Sequence, residues 1–415
     1  WSGWVKRAKL GTRQMFFRVI NPASTADYAY IEFDGANDNL NYNEFDGTTS
    51  INGTTNAKYR DTSGWYHIVF ATDTTQVTGS DRIKVYVNGE QVTSFSTHVY
   101  GTQNQTTRAN LSGKTLAIGA NGTGSNFYFD GSMADVYFID GLAYDASTFG
   151  SFDSTTGIWK PNTAPTVTYG ANGFNLKFTN GADAGEDFSG NNNDLATNGT
   201  PTQTLDCPSN VFATMNPLMN FGTNPTYTTG NLVGSAGASW TGGTGTLGFS
   251  SGKYYWEAKF TGSVENCFNG VWQENTALTS PYHNQTGVTA FFNGNASPNT
   301  GAIMTNGTQS NQGLGQITTS DILGMAIDMD NKYISVYKNG TALVTNVALS
   351  TSSSLVFPFI SHYSSGVQMN FGNGFFGTTA VVSAGTNAGV GTFEYDVPAG
   401  YYALCTKNIN TQEYS

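Results

Sequence analysis

The sequence has 415 residues, of which 50 are glycine, 13% are aromatic and only 11% are charged. With 18 Lys and Arg residues against 29 Asp and Glu residues, the formal net charge is −11, so we predict no nucleic-acid binding, which requires a clustered basic face. The length exceeds what one ordinary core accommodates and predicts two domains of roughly 150 residues each plus a connecting segment.

The first predicted domain covers residues 1–150 and consists of short strands in which apolar and polar residues alternate. Alternation with one apolar face is what a strand of a β-sandwich requires. Trp1 already lies in a predicted strand, so we expect the natural start of the protein upstream of it. Helical periodicity is confined to one turn near Ala143–Phe149. The predicted strands are Tyr28–Phe33, Tyr66–Ala71, Ile83–Val87, Leu116–Gly119 and Asp135–Ile139.

Residues 151–235 are rich in turns and aromatic side chains, with one strand-like stretch, Gly173–Phe178. They are too aromatic for a flexible linker, so we predict an ordered connector with short strands or the opening strand of the next domain. A second sandwich domain is predicted over residues 236–378, followed by a closing β segment over residues 379–415. The strands predicted in the second domain are Tyr254–Phe260, Gly270–Trp272, Ile322–Asp328, Tyr333–Tyr337, Phe357–Ile360 and Val367–Gly372.

One hairpin design occurs twice. In the first copy, an apolar strand ends in Asp at Trp65–Asp73, and a polar connection follows. A second strand, Asp81–Gly89, then closes with Asn-Gly. Residues Asp321–Gly340 repeat this order. Asn-Gly next to alternating strands is a strong hairpin signal. The repetition predicts two similar β domains.

These residues carry a resemblance to two known families, which implies an all-β fold of two concanavalin-like antiparallel β-sandwich (jelly-roll) domains joined by the ordered connector. The stretches that resemble laminin-G-like domains of the concanavalin type are Trp65–Phe70, Val85–Gly89 and Phe129–Phe138. The stretches that resemble a SPRY domain, itself a concanavalin-like sandwich, are Gly252–Glu257, Ile322–Asp328, Ile334–Gly340 and Phe357–Phe359.

The order of motifs along the chain is similar to that of virion proteins of tailed phages, especially from aquatic (marine) environments. This resemblance implies a place on the particle surface, as a tail fibre or spike or as a capsid decoration, with other virion proteins as partners. It also implies a homo-oligomer, with a trimer expected by analogy with phage fibres. The stretches that carry this resemblance are Tyr137–Gly141, Thr156–Pro161, Gly173–Phe178, Asp187–Asn191 and Phe212–Pro217.

The laminin-G-like resemblance further implies Ca²⁺ at a rim, because a hard cation prefers several oxygen ligands. Asp beside Gly or Thr is equally ordinary turn chemistry, because Asp accepts hydrogen bonds from its own turn and Gly supplies a positive φ. Both interpretations stay open in the sequence. The candidate ligands, each beside a turn, are Asp34, Asp73, Asp81, Asp130 and Asp140.

Ligand contact in the second domain is predicted in its long loops, since the SPRY resemblance implies binding through loops. Tyr282 and His283 are the candidate ligand-binding residues, because an aromatic face presents apolar area beside a polar tip. Trp272 lies in a predicted strand and is assigned to the core. The long loops are Asn266–Thr289, Asn293–Gln316 and Leu349–Leu355.

Motifs for catalysis are missing from the sequence. Concanavalin-like glycosidases need two carboxylates roughly 5–9 Å apart, and no Glu-x-Asp-x-x-Glu pattern occurs. His67 lies in a strand, where a core role is favoured over that of a base. Cys207, Cys267 and Cys405 lack metal-type spacing and are predicted to be buried free thiols. We therefore predict no catalytic residue and no enzyme activity.

The leading hypothesis is a non-enzymatic virion protein that adheres to host surface glycans through loops held by rigid sandwiches. Weak single-site binding becomes effective through several copies, in keeping with a homo-oligomer. The alternatives are a purely structural capsid or tail decoration, a polysaccharide depolymerase, and a bacterial secreted adhesin at the cell surface. No run of 18 apolar residues appears, so no membrane insertion is predicted.

Overall fold

A computed structural model divides the chain into two compact units, Trp1–Gln203 and Thr204–Ser415. It describes residues 1–48, 50–122, 126–222, 225–235, 237–274, 276, 286–294, 300–349 and 355–413. Strands account for 47% of the residues and helices for 4%, and the sheets are antiparallel except for one short parallel pairing of Tyr254–Tyr255 with Tyr402–Ala403. The prediction of an all-β fold is confirmed. Within the described ranges, no helix is long and apolar enough to cross a membrane.

The first unit contains two six-stranded sheets, a short hairpin and two single-turn helices. Its elements are β1 (Ser2–Arg7), β2 (Gln14–Asn21), β3 (Ser24–Phe33), β4 (Asn39–Phe45), β5 (Ser50–Lys58), β6 (Tyr66–Thr72), α1 (Gly79–Arg82), β7 (Ile83–Val87), β8 (Glu90–Gln91), β9 (Phe95–Val99), β10 (Thr115–Ile118), β11 (Gly131–Phe138), α2 (Ala146–Phe149), β12 (Gly150–Phe152), β13 (Trp159–Pro161) and β14 (Phe174–Leu176). The sheet orders are β14-β11-β1-β6-β7-β8 and β10-β2-β3-β4-β5-β9, and β12 pairs with β13.

The core of the first unit is formed by the inward-pointing residues of these strands. On β3, the buried residues Ala29, Ile31 and Phe33 belong to the core. Tyr30 and Glu32, which alternate with them, point to the outer face of the sheet. Fully burying one large apolar side chain contributes about 1.5–3 kcal/mol, so this alternation fixes which face of β3 turns inward. All five strands predicted in this domain overlap observed strands, and the predicted helical turn is α2.

The segment predicted as a connector, residues 151–235, is divided between the two units at Gln203. In the first unit, β14 extends a sheet by pairing with β11. Trp159 of the β12–β13 hairpin donates from Nε1 to Nδ1 of His67 at 3.0 Å. His67 is 1% exposed, and its ring also stacks on Trp4 at 4.7 Å. The predicted core role of His67 is confirmed.

His67 makes the stability of the first unit depend on pH. Burial lowers the pKa of His67 to about 3. The neutral ring is the form that the fold holds, since Nδ1 accepts from Trp159 and Nε2 bonds to Ser2 Oγ at 2.9 Å. In the unfolded chain the pKa of histidine is about 6.5. The stabilising contribution is therefore complete above about pH 6.5 and is lost as the pH falls toward the folded value.

We expect the free energy of unfolding to fall by about 2 kcal/mol through His67 between pH 6.5 and pH 5. Urea denaturation at a series of pH values measures this fall. The His67→Gln variant should show a shallower decrease over the same interval, because it cannot bind the proton. Equal slopes for the two proteins would contradict the assignment.

The second unit contains a seven-stranded and an eight-stranded sheet. Its elements are β15 (Met215–Gly222), β16 (Thr226–Thr228), β17 (Val233–Ser235), β18 (Trp240–Gly245), β19 (Lys253–Gly262), β20 (Cys267–Gln273), β21 (Val288–Asn293), β22 (Ala302–Thr305), β23 (Thr308–Ser310), β24 (Ile322–Asp328), β25 (Tyr333–Lys338), β26 (Thr341–Ala348), β27 (Val356–Tyr363), β28 (Ser365–Asn370), β29 (Phe375–Phe376), β30 (Thr379–Ala380), β31 (Tyr402–Ala403) and α3 (Thr406–Glu413). The sheet orders are β15-β18-β27-β20-β21-β22-β23 and β16-β17-β28-β19-β24-β25-β26, with β31 alongside β19.

Both sheets of the second unit bury residues on their two faces. Inside, Trp256 of β19 is 0% exposed and donates from Nε1 to Asn269 Oδ1 at 3.1 Å. On the other face of β19, Tyr255 packs against Phe393 of the closing segment. Trp272 belongs to an aromatic cluster of the seven-stranded sheet and is 5% exposed, so its assignment to the core is confirmed.

The two predicted hairpins have the same construction. In the first, β6 pairs with β7, and Asn88 then adopts a φ of 50°. In the second, β24 pairs with β25, and Asn339 adopts a φ of 51°. Each Asn side chain accepts a backbone N–H of the partner strand, from His67 at 2.8 Å and from Ile322 at 2.9 Å. The Asn-Gly signal therefore predicted both turns correctly.

Candidate functional site

A cavity of about 820 Å³ lies in the first unit. Residues of β2, β3, β4 and β6 form its walls, and three stretches outside the strands close it, within residues 73–75, 104–111 and 139–144. Among the residues that line it, the acidic ones are Glu44, Asp73 and Asp140, and none is basic. The aromatic residues, apart from Tyr30, whose side chain points to the outer face of the sheet, are Trp1, Phe17, Tyr42, Phe70, Phe138, Tyr144 and Phe149.

Glu44 is a buried carboxylate in the wall of the cavity. It follows Leu40 and Tyr42 at alternate positions of β4, and both of these belong to the core, so its side chain points inward as well. It is 5% exposed, and Oε2 accepts the backbone N–H of Arg108 at 2.6 Å. Burial raises the pKa of Glu44. This residue was missed in the sequence, although the pattern Leu-x-Tyr-x-Glu marks it as inward-facing.

Two buried donors of the cavity wall lack a hydrogen-bond partner among the described residues: the hydroxyl of Tyr42 and Nε1 of Trp1. Tyr42 is 2% exposed and lies against Phe70, with 4.6 Å between ring centroids. Its ring also covers Gly53 of β5, where an added Cβ would come within 2.5 Å of the ring. Glycine at this position therefore lets the tyrosine lie flat against the sheet.

Hydrogen bonds between neighbouring loops fix part of the cavity rim. The backbone N–H of Asn104 donates to the carbonyl of Thr74 at 2.8 Å. Arg82 donates to three backbone carbonyls, those of Gln76, Val77 and Gly101, each at 2.8 Å. Such side chain to backbone bonds replace the ladder bonds that a loop lacks. The bonds of Asn104 to Thr74 and of Arg82 to Gly101 connect the neighbouring loops at the rim.

The structure brings two of the five predicted calcium ligands to this cavity. Asp73 Oδ1 accepts the backbone N–H of Thr75 at 3.1 Å, and Oδ2 accepts Gln76 Nε2 at 2.6 Å. Hydrogen bonds from Gln76 and Thr75 lower the pKa of Asp73. Asp140 accepts the side chain of Asn110, and its Oδ2 accepts Asn172 Nδ2 at 2.9 Å.

The other three predicted ligands lie apart from the cavity. Asp34 Oδ1 accepts the backbone N–H of Ala36 at 2.6 Å in the turn after β3. Asp81 pairs with Lys84 at 3.3 Å. Asp130 precedes β11, and burial raises its pKa. Across the described ranges, no three His, Cys, Asp or Glu side chains are grouped as metal ligands. Asp34 and Asp73 accept hydrogen bonds within their own turns, whereas Asp140 links two distant stretches of the chain.

Tyr282 and His283, the ligand-binding residues predicted in the second domain, lie outside the described residues. The described part of that domain holds a different buried acid, Glu257 on β19, which is 0% exposed. Its Oε2 accepts the backbone N–H of Glu394 at 2.9 Å, and its Oε1 accepts that of Tyr395 at 3.0 Å. The carboxylate therefore fastens the closing segment to the sheet.

The three cysteines are free, as predicted. Cys267 and Cys405 are buried, whereas Cys207 is half-buried. Burial raises the pKa of Cys267 to about 12. Its sulfur therefore stays a thiol at neutral pH, which is the inert state of a structural cysteine.

Comparisons with known proteins agree with this architecture. Residues 1–146 match the family described as the concanavalin A-like lectin/glucanases superfamily, and residues 253–374 match the SPRY domain family. No curated protein matches the sequence.

Solved SPRY domains are similar to part of the chain. The SPRY domain of human HERC1 is 18% identical, with 37% of this chain and 96% of that chain covered and a TM-score of 0.31. The TRIM65 PSpry domain is 12% identical, and the match covers 38% of this chain and 91% of that chain with a TM-score of 0.31. A human SPRY domain is 13% identical, and the match covers 36% of this chain and 96% of that chain with a TM-score of 0.29. The two family matches alone support a laminin-G-like domain of the concanavalin A-like superfamily at residues 1–146, followed by a SPRY domain at residues 253–374.

Proposed function

We propose that this protein is a non-enzymatic adhesive component of a phage particle, whose laminin-G-like domain binds a host surface glycan in its cavity. The observation that carries the proposal is a cavity of ligand size, about 820 Å³, that combines aromatic faces with a buried acid. Aromatic faces suit the apolar faces of sugar rings, and Glu44 offers a hydrogen-bond acceptor for hydroxyl groups. The virion role rests on the resemblance of the motif order to tailed-phage proteins, and a homo-oligomer, expected to be a trimer, would add avidity.

Substitution of Tyr42 tests directly whether the ligand binds in the cavity. A buried hydroxyl without a partner costs about 1–3 kcal/mol, and a ligand oxygen would supply the missing partner. Tyr42→Phe should therefore raise the free energy of unfolding by about 1 kcal/mol while weakening glycan binding about ten-fold. Urea denaturation and titration of a glycan selected on an array measure the two effects.

Tyr137→Phe is the matched control for this experiment. The hydroxyl of Tyr137 is likewise buried without a partner among the described residues, and Tyr137 does not line the cavity. We expect the same gain in stability with unchanged glycan affinity. Equal glycan affinities for the Tyr42→Phe and wild-type proteins would show that the cavity is not the glycan-binding site.

The glycan array itself separates adhesion from a purely structural role. The purified protein is applied with calcium and again with a chelator. Binding in both conditions is the expected result for a cavity that uses its own side chains. Binding only with calcium would place the ligand at a metal-supported rim, and an array without signal would favour the decoration protein.

Hydrolysis of a polysaccharide is the second candidate, because one observation favours it. Burial raises the pKa of Glu44, whereas hydrogen bonds lower that of Asp73, and both line the cavity. Two carboxyl groups with opposite shifts are the arrangement that glycosidases use for acid and base. Release of new reducing ends from the bound glycan, abolished in Glu44→Gln, would establish this activity. Binding without release is the outcome that our proposal predicts.

A further inference from the structure

The outer face of the sheet β10-β2-β3-β4-β5-β9 carries a second set of polar residues, on the side opposite to the core. Hydrogen bonds join them across the strands. Thr54 Oγ1 donates to Asn41 Oδ1 at 3.1 Å, and Asn41 Nδ2 donates to Glu32 Oε1 at 3.2 Å. Arg13 Nε donates to Glu32 Oε2 at 2.6 Å. Glu32 is thereby neutralised by Arg13, which leaves a second arginine of this face to be accounted for.

Arg18 is that second arginine. It lies on β2 opposite Tyr30 of β3, and its guanidinium lies 4.7 Å from the ring centroid of Tyr28 and 5.5 Å from that of Tyr30. The residue is only 7% exposed. Its Nε is buried without a hydrogen-bond partner, and it forms no ion pair within the part of the chain that the structure describes.

An arginine in this state is costly to the fold. Taking a charge out of water costs several kcal/mol unless an opposite charge compensates it, and contact with two aromatic rings returns only about 0.5–2 kcal/mol each. Burial and the positive charge of Arg13 both lower the pKa of Arg18. The negative charge of Glu32 favours the charged guanidinium, but Glu32 is already paired with Arg13 and Arg18 Nε has no acceptor among the described residues. An additional anion would therefore compensate the buried charge further.

We propose that Arg18 binds the carboxylate or sulfate group of an acidic saccharide on this outer face. A planar guanidinium accepts such a group through two parallel hydrogen bonds. Tyr28 beside it is only half-buried, as are Asn41 and Asn43 on β4, the strand next to β3, so this face stays in contact with solvent. They offer a ring face and amide groups to the rest of the sugar. The site is separate from the cavity, and it does not depend on the function proposed for the cavity.

Titration of the full chain with sodium glucuronate, followed by NMR or by the thermal midpoint, tests the proposal. Glucose and sodium chloride at matched ionic strength are the comparison ligands. We expect saturable binding of glucuronate, displacement by sodium sulfate, and no saturable response to glucose or chloride. In Arg18→Met, which keeps a long apolar stem, glucuronate binding should weaken at least about ten-fold, as loss of a charged hydrogen bond implies.

Arg60→Met is the matched control. Arg60 belongs to the same unit, and its side chain is 51% exposed in an ion pair with Asp38, so glucuronate affinity should be unchanged. Glu32→Gln gives an independent test if Arg18→Met does not fold, because removal of the neighbouring negative charge should tighten glucuronate binding about three-fold. Equal responses to glucuronate and glucose, or wild-type affinity in folded Arg18→Met, would overturn the proposal.

Discussion

Replacing Asp38 with Asn is expected to destabilise the laminin-G-like unit by about 3–5 kcal/mol, the cost of leaving a buried charge without its partner. The partner is Arg7, which is 0% exposed and donates from Nη2 to Asp38 Oδ1 at 3.0 Å. Nη1 of Arg7 donates to the carbonyl of Tyr59 at 2.5 Å. The guanidinium also lies 4.2 Å from the ring centroid of Phe33. Asparagine would place either a neutral oxygen or an N–H group against this cation.

The pKa of Asp38 supports this expectation. Burial alone would raise it, but hydrogen bonds from Gly11, Arg60 and Arg7 outweigh burial, so the net shift is downward. A carboxylate with a lowered folded pKa contributes stability at neutral pH, and that contribution is lost in acid as the pH falls through the folded value. The destabilisation by Asp38→Asn should therefore shrink at low pH.

Arg60→Gln is the control for the Asp38 experiment. Arg60 donates from Nε to Asp38 Oδ2 at 3.0 Å, so it shares the same carboxylate, but half of its side chain is exposed. Exposed ion pairs contribute about 0–1 kcal/mol, and the variant should lose no more than this in urea denaturation. A loss below about 1 kcal/mol for Asp38→Asn itself would show that Arg7 finds other compensation.

Replacing Glu257 with Gln is expected to cost about 1–3 kcal/mol in the SPRY unit and to loosen the closing segment. The two backbone N–H groups of Glu394 and Tyr395 each point at one carboxylate oxygen, and an amide can accept only one of them. The N–H that faces the amide NH₂ is then buried without an acceptor, which costs about 1–3 kcal/mol. Faster proteolysis between residues 379 and 405 would report the loosening. Glu413→Gln is the control, because the bonds of Glu413 to Ser250 are exposed, and it should leave the rate of proteolysis unchanged.

Glu257 also contributes a pH dependence of its own. Burial raises its pKa to about 7 against the hydrogen bonds that it accepts. Because this value lies above that of the unfolded chain, about 4.3, the contribution of Glu257 to stability is complete at acid pH and is lost as the pH rises toward 7. The Glu257→Gln variant should lack this component. If its stability profile between pH 5 and pH 7 ran parallel to that of the wild type, the carboxyl would not be titrating there.

Much of the fold was predictable from the sequence because strand alternation and Asn-Gly turns are local signals. Ile83–Val87 and Ile322–Asp328 were predicted with the bounds that the structure gives them. In the predicted connector, residues 151–235, the strand-like stretch Gly173–Phe178 contains the observed strand Phe174–Leu176, whereas Trp159–Pro161, which has three residues, was not predicted as a strand. A period of two residues cannot be recognised over so short a stretch.

The candidate site was predictable only in part. Asp73 and Asp140 were singled out because they stand beside turns, and the structure brings them to one cavity because their loops meet at the same place in the sandwich. Arg18 was missed since a charged residue within an alternating strand looks like a solvent-facing one. Glu44 was missed because an acid is unusual on the apolar side of a strand, although its spacing from Leu40 and Tyr42 places it there. The free-energy cost of burying a charged residue, and the residue that pairs with it, depend on parts of the chain that are far away in sequence. A local sequence pattern does not contain this information.

The closing segment of the SPRY unit constrains how the protein is synthesised. The outer face of β19 and β24 is covered by residues that come last, including Phe393, Val397 and Cys405. On the ribosome, this apolar face stays uncovered until those residues have emerged, long after the strands beneath it have been made. We therefore expect folding of this unit to finish only after translation of the closing segment, with the exposed sheet as the surface on which chaperones act or aggregation begins.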